Sequence, residues 1–388
     1  MADLLGFTSI ALVSVITILT GLRWPAVSRI IYVALSVRVL FILIGHYIIP
    51  LPDSTKDAAG LEDLAWSYGK DGFTNALNYY QGMNSFFYSW VIRVFYSLFG
   101  RSILMSQSLS LLFGVGSVFL VWFLAKKIWD DRTAIKVSWV VALFPSLILY
   151  SALPLREVYS SFFLLVAAVG IFYWTKTSSN YSIFLAIFGF VGAAFFHGPL
   201  ILGNMVFLFI VLLSALKKTF KSLMSLRFNY KSFIIIFSSS IFFYFFFLNK
   251  IYIPKIGYFE AINLGYFLGE SKARMIGNAS YSEILQINSN IEFLYKVPLR
   301  VVYFLFSPFP WNVEKPIHLI GVFDSFLYIF LVYLIFLNRK IIWNDPFLRI
   351  ILIILICYFF MFAIGVSNFG AGIRHRSKFT IEMILLVG

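Results

Sequence analysis

A single cysteine, Cys357, occurs in the whole chain, and it lies inside an apolar run. Disulfides and a thiolate metal site are excluded by that count alone. Histidine is nearly as scarce: His46, His197, His318 and His375 lack the short spacings of a zinc site. Charge is thin, at 12% of 388 residues, and acids are the scarcer kind, with 17 Asp and Glu against 31 Lys and Arg. The chain shows no low-complexity linker, no soluble domain and no internal repeat. The missing repeat weighs against a transporter built from inverted halves.

Apolar residues fill the chain instead: 61% are hydrophobic and 20% aromatic, with a mean hydropathy of +0.89. A soluble core cannot absorb so much apolar surface, so the chain reads as an integral membrane protein whose partner is the lipid bilayer. Apolar runs of roughly 15–25 residues predict helices, where a barrel would alternate over about ten. The expected fold class is an all-α polytopic membrane protein, one domain over residues 1–388, with roughly 10–11 transmembrane helices. A net charge of +14 would point to nucleic acid in a soluble protein. Here the excess sits in short loops, as membrane topology requires, and no nucleic acid partner is expected.

In chain order, membrane helices are expected over about 4–22 and 30–50. No basic region precedes the first run and no small-residue cleavage site follows it, so it reads as a retained helix. An acidic loop follows over 51–101, including an apolar piece at 85–99 that Arg93 interrupts; that piece suits an interfacial helix. Further spans are expected near 102–125, 137–152, 158–174, 181–196, 200–215, 232–248, 317–337 and 347–366. A second polar outward segment covers 249–316, and residues 379–387 are too short to span, so they re-enter the membrane or stop in it. Loops near 23–29, 126–136, 217–231 and 338–349 are the basic ones, which places them in the cytoplasm. Alternation then sends the acidic loop, Arg156 and Glu157, His197, the 249–316 segment and Arg374–Arg376 to the opposite face.

Five of the 17 acids lie in the first loop before Gly72: Asp53, Asp57, Glu62, Asp63 and Asp71. Asp57 opens DAAGLEDLAW, a short helix pattern. It reads as a general base toward an acceptor hydroxyl, as part of a divalent metal site, or as a helix cap. Asp53, Glu62 and Asp63 compete with it, and Asp63 is retained as a candidate catalytic acid. Arg156 and Glu157 follow Pro154 at a helix start. There Glu157 complements the helix dipole or serves as a second carboxylate, and Arg156 suits a phosphate. His197, at an outer helix end, reads as a substrate-site group or as a hydrogen-bonded structural residue.

The densest cationic stretch is SNFGAGIRHRSK, where Arg374, His375, Arg376 and Lys378 follow Gly370, Ala371 and Gly372. Small residues let backbone approach a ligand closely, and cations outside the membrane need an anionic partner, either a phosphate or lipid headgroups. Ser307 to Trp311 (SPFPW) reads as a sugar-stacking wall or an interfacial anchor. Residues 249–298, with Lys272, Arg274, Glu260, Glu270, Glu283 and Glu292, read as a lid.

The first loop, PDSTKDAAGLEDLAWSYG, resembles that of the GT-C superfamily of polyprenyl-phosphate-dependent glycosyltransferases. The layout is like that of the branch of protein mannosyltransferases and lipid A aminoarabinose transferases. YSALPLRE, FFHGP, YFLFSPFPW and NFGAGIRHRSKF also resemble bacterial membrane proteins from surface-polysaccharide gene clusters. Ala58 stands where protein mannosyltransferases place a Glu after the key Asp. The resemblance implies a GT-C-like fold with Asp57 as the key aspartate. It also implies a bacterial inner-membrane location with the active face in the periplasm, and a role in cell-surface polysaccharide biosynthesis. The donor would be a sugar on a polyprenyl phosphate or diphosphate and the acceptor a glycan or glycolipid hydroxyl, with a divalent metal as an open question. A Wzy-type polymerase uses similar outward arginines. A flippase for lipid-linked sugars would instead line a central path with intramembrane charges, for which Arg38 and Asp324 are the candidates.

Overall fold

The computed structural model describes residues 2–78, 80, 86–225, 230–248, 269, 279–314 and 316–388. Among them the regular structure is helical, with one isolated antiparallel bridge, Ser280 to Asn368. The first two helices, α1 (Ala2–Arg23) and α2 (Pro25–Tyr47), are separated by Trp24 alone. Proline lacks the N–H that the first helical turn leaves unused, so α2 starts at Pro25 rather than near residue 30, and Arg29 lies inside it.

The acidic loop folds into a wide turn at Ser54–Ala58, then α3 (Ala59–Gly69), α4 (Phe73–Asn78) and α5 (Phe87–Phe99). Tyr88, Ile92 and Tyr96 recur every four residues and are buried on one face of α5, while Phe95, Leu98 and Phe99 are exposed. That is the pattern of an interfacial helix. Arg93, which interrupts the apolar run, is itself buried and holds its guanidinium 4.4 Å from the Tyr68 ring.

The bundle continues with α6 (Ile103–Ile128), α7 (Asp131–Leu143), α8 (Pro145–Ser151), α9 (Glu157–Thr177), α10 (Asn180–Phe196), α11 (Ile201–Met224) and α12 (Tyr230–Phe247). After the second polar segment come α13 (Asn290–Phe306), α14 (Pro316–Leu337), α15 (Arg339–Asn344), α16 (Pro346–Gly365), α17 (Phe369–Arg376) and α18 (Thr380–Val387).

Among the described residues seven helices are long and apolar enough to cross a membrane, or eight if the bent pair α7 and α8 is one span. Among the described residues that is fewer than the ten to eleven expected. The reason is length. With 17 residues, α10 reaches about 25 Å against a hydrocarbon core of about 30 Å. α18 has only eight residues. The close partner of α10 is α9: a Cβ on Gly170 would sit 2.3 Å from the Ala186 backbone nitrogen, and one on Gly189 would sit 2.3 Å from that of Ala167. The two helices touch backbone to backbone, the usual basis of helix association in lipid.

The span expected at 137–152 is broken. Pro145 cannot donate to Val141, and Phe144 before it is extended (φ −66°, ψ 122°), so α7 and α8 meet at 58°. Arg38 of α2, fully buried, repairs the gap. Its guanidinium donates to the Ala142 carbonyl at 2.8 Å and to the Val141 carbonyl at 3.4 Å.

A second buried arginine orders the other half. Arg300 of α13 donates to the carbonyls of Leu285, Ala363, Ile364 and Val366 at 2.7–3.1 Å. It thereby ties α13 to the end of α16, beside the turn that leads to α17. At the opposite end of the bundle Lys176 lies 3.8 Å from Asp345, and Trp129 and Asn338 donate to the carbonyls of Leu385 and Val387. α18 therefore runs inward from the α17 end, buried over Thr380–Leu386. Most of the segment read as a lid, including Glu260, Glu270, Lys272 and Arg274, lies outside the described residues.

Candidate active site

Three stretches of chain meet at one end of the bundle: the turn before α3, the start of α9, and α17 with the turn after it. Asp57 sits in the wide turn Ser54–Ala58, its side chain 61% exposed. Glu157 is the first residue of α9 and is 1% exposed. Arg374 lies between them. Its Nη1 pairs with Asp57 Oδ2 across 317 residues of sequence, and its Nε is 3.1 Å from Glu157 Oε1. Lys378 Nζ is 3.4 Å and Arg156 Nε 3.9 Å from that same oxygen, so three cations surround one carboxylate.

Local sequence explains the placement. Asn368 caps α17, accepting from the Gly370 and Ala371 amides at 2.8 and 3.3 Å. The small residues Gly370, Ala371 and Gly372 lie in the first turn of this helix, and Arg374 in the next turn faces Glu157 of α9. Glu157 begins α9, where the helix dipole favours a carboxylate.

Asp53 stands beside the pair in the left-handed region (φ 64°), with Oδ2 accepting from the Tyr150 hydroxyl at 3.1 Å. Although its side chain keeps an exposed edge, partial burial, with the nearby Glu157 and Asp57 carboxylates, raises the Asp53 carboxyl above the usual range, against the pull of Arg374 and Tyr150. Burial lowers Arg156. It also pushes the Lys378 ammonium down to about 7, although Glu157 acts to raise it. Arg374 ends above its ordinary value: its burial cost is outweighed by the attraction of Glu157, Asp57 and Asp53. A guanidinium held this way stays charged at any physiological pH.

The imidazoles extend the cluster. His375 Nδ1 is 2.7 Å from Lys378 Nζ, and the His375 ring lies 5.0 Å from that of His197. His197 is buried and stacks 5.3 Å from Phe362. Of the candidates read from the sequence, Asp57, Arg156, Glu157, His197, Arg374 and His375 come together.

Asp63 and Arg376 do not join them. Asp63 Oδ1 and the buried carboxylate of Glu62 both grip Arg101, at 2.5 Å each, and Glu62 also accepts from the Tyr96 hydroxyl at 2.7 Å. These two acids staple α3 to the start of α6. Arg376 is two residues from Arg374, about 200° around a helix, and so points the opposite way. It is fully buried, donating to Asp324 at 2.8 Å, to the Leu305 and Ser307 carbonyls and to Ser325 Oγ, with its guanidinium 4.5 Å from the Tyr328 ring. Reading Arg376 as a phosphate ligand is corrected on that ground: its donors are committed to the α13–α14 wall.

Tyr150 was not foreseen. It lies on α8, and only the break at Pro145 turns that stretch toward the first loop. Lys378 was legible as part of a basic run, but its contact with Glu157 was not. At SPFPW the Phe309 and Trp311 rings stack on each other at 4.7 Å, with Trp311 exposed.

The arrangement combines acid–base and anion-binding chemistry: an exposed carboxylate on a loop, a buried one on a helix, and permanent cations between them. Among the described residues no group of three or more His, Cys, Asp and Glu is placed to hold a metal ion. No family model matches this chain, and no curated protein or solved structure matches it either.

Proposed function

We propose that the cluster transfers a sugar from a polyprenyl-linked phosphate or diphosphate to an acceptor hydroxyl, on the face of a bacterial inner membrane away from the cytoplasm. The observation that carries this reading is the meeting of Asp57, Glu157 and Arg374 from three distant stretches. Arg374, Arg156 and Lys378 would take the charge that develops on the departing lipid phosphate. Asp57 would accept the proton of the attacking hydroxyl as its oxygen bonds to the anomeric carbon and the bond to phosphate breaks, inverting that carbon. Glu157, buried among the three cations, would orient them. His197 and His375 line the inner side of the same site. The resemblance of the first loop to GT-C enzymes supports the same assignment.

A conduit for lipid-linked sugars is less well supported. Its two candidate intramembrane charges are both committed, Arg38 to the α7 carbonyls and Asp324 to Arg376. The test is transfer in vesicles carrying the lipid-linked donor pool of a complementing strain, wild type against Asp57→Asn, with products sized. A base of this kind is worth about 10²–10⁴ in rate. The expected result is a single added sugar, lost in the variant, with an unchanged melting temperature. A ladder of repeats, lost in the same way, identifies a polymerase. Full activity in Asp57→Asn refutes the role of the carboxylate.

A further inference from the structure

The cluster sets two permanent cations, Arg156 and Arg374, and Lys378, which burial pushes down to about 7, against three carboxylates, Asp53, Asp57 and Glu157. A site balanced in this way offers little net attraction to an incoming phosphate. Arg374, the cation closest to the loop, is already engaged: its Nη1 pairs with Asp57 and its Nε lies 3.1 Å from Glu157 Oε1.

The three carboxylates differ in their freedom to leave. Glu157 is built into the first turn of α9 and is 1% exposed. Asp53 is held by the Tyr150 hydroxyl. Asp57 lies on an irregular turn with its side chain 61% exposed, and it reaches Arg374 from the solvent side. A carboxylate and a phosphate oxygen present the same acceptor geometry to a guanidinium fork.

We propose that Asp57 is the resting occupant of the Arg374 anion site, and that the phosphate of the lipid-linked donor enters by displacing it. The inference rests on reading the cluster as a donor site. Exchange does two things at once. It restores positive charge to the site by removing one carboxylate from it. It also frees the Asp57 carboxylate from Arg374, so that its oxygen can face the acceptor hydroxyl. The base is thus released only when a donor is seated, which protects the site from idle proton transfer.

The test is a four-member cycle on the full chain in phosphatidylcholine nanodiscs: wild type, Asp57→Asn, Arg374→Ala and the double variant. Retention of added undecaprenyl phosphate is read by native mass spectrometry. Asp57→Asn should bind about tenfold more tightly than wild type, equivalent to about 1.4 kcal/mol. That gain should vanish in the Arg374→Ala background, because the two residues then share no site. If Arg374→Ala weakens binding while Asp57→Asn leaves it unchanged or weaker, displacement is refuted and the donor site stands. If Arg374→Ala binds like wild type, the donor-site reading itself fails, and the exchange with it. Arg374→Gln, which removes the charge but keeps much of the side chain's length, replaces Arg374→Ala in the same cycle if the alanine variant does not fold.

Discussion

Burying an ammonium group costs free energy unless opposite charge surrounds it, and Lys378 is only partly compensated. It is fully buried, with Glu157 at 3.4 Å but Arg156 and Arg374 sharing that carboxylate. Its pKa of about 7 lies well below the 10.5 of a free lysine. Between those values the unfolded chain carries a proton at this site that the folded chain does not, so stability rises with pH across that window. Below pH 7 both states are protonated and the burial penalty applies in full. Melting in detergent should therefore rise between pH 7 and 10 more steeply for wild type than for Lys378→Met. Parallel curves for the two proteins would show that Lys378 is not depressed. Arg374 shows the other side of the same physics, since two carboxylates within contact hold its charge despite burial.

Single elements are held in place by buried arginines acting on backbone. The proline that breaks α7 from α8 leaves carbonyls that water would satisfy in a soluble protein; in a membrane another donor must do so. Arg38 supplies it at Val141 and Ala142. Arg38→Met should destabilise the fold by about 1–3 kcal/mol, the usual loss when buried acceptors lose a charged donor. Pro145→Ala returns the missing N–H and should recover part of that loss in the double variant. Melting temperatures of the four proteins decide it; no recovery would mean that Arg38 acts elsewhere. The same break turns Tyr150 toward Asp53, so a fault in one helix shapes the edge of the site. In α17 two arginines two residues apart diverge by helix geometry, Arg374 into the cluster and Arg376 into the wall at Asp324.

For the whole molecule, sidedness is the property that the proposed reaction depends on. The basic loops are expected in the cytoplasm, and the ends that carry them lie opposite the cluster. Thr55, exposed beside Asp57, and Lys217, exposed at the basic end, report the two faces. In a Cys357→Ser background, Thr55→Cys should react with a membrane-impermeant maleimide on intact cells, and Lys217→Cys only after permeabilisation. The reverse pattern would place the cluster in the cytoplasm and exclude an external donor.

Much of this organisation was legible in the chain. Apolar length marked the helices, because lipid demands runs of that length. Short length and the interruption by Arg93 set the stretch that forms α5 apart from the spans, and Asp57, Arg156, Glu157 and Arg374 stood out as charges beside apolar runs. Other features were settled only by tertiary structure. Five acids in one loop look alike in sequence, but Glu62 and Asp63 turn to Arg101 while Asp53 and Asp57 turn to Tyr150 and Arg374. Arg376 looked like a twin of Arg374 until its partner, Asp324, was placed 52 residues away in the chain. Membrane residence follows from composition because solvent acts on every residue independently of its neighbours. Pairing of charges depends on which helix ends meet across hundreds of residues, and only packing decides that.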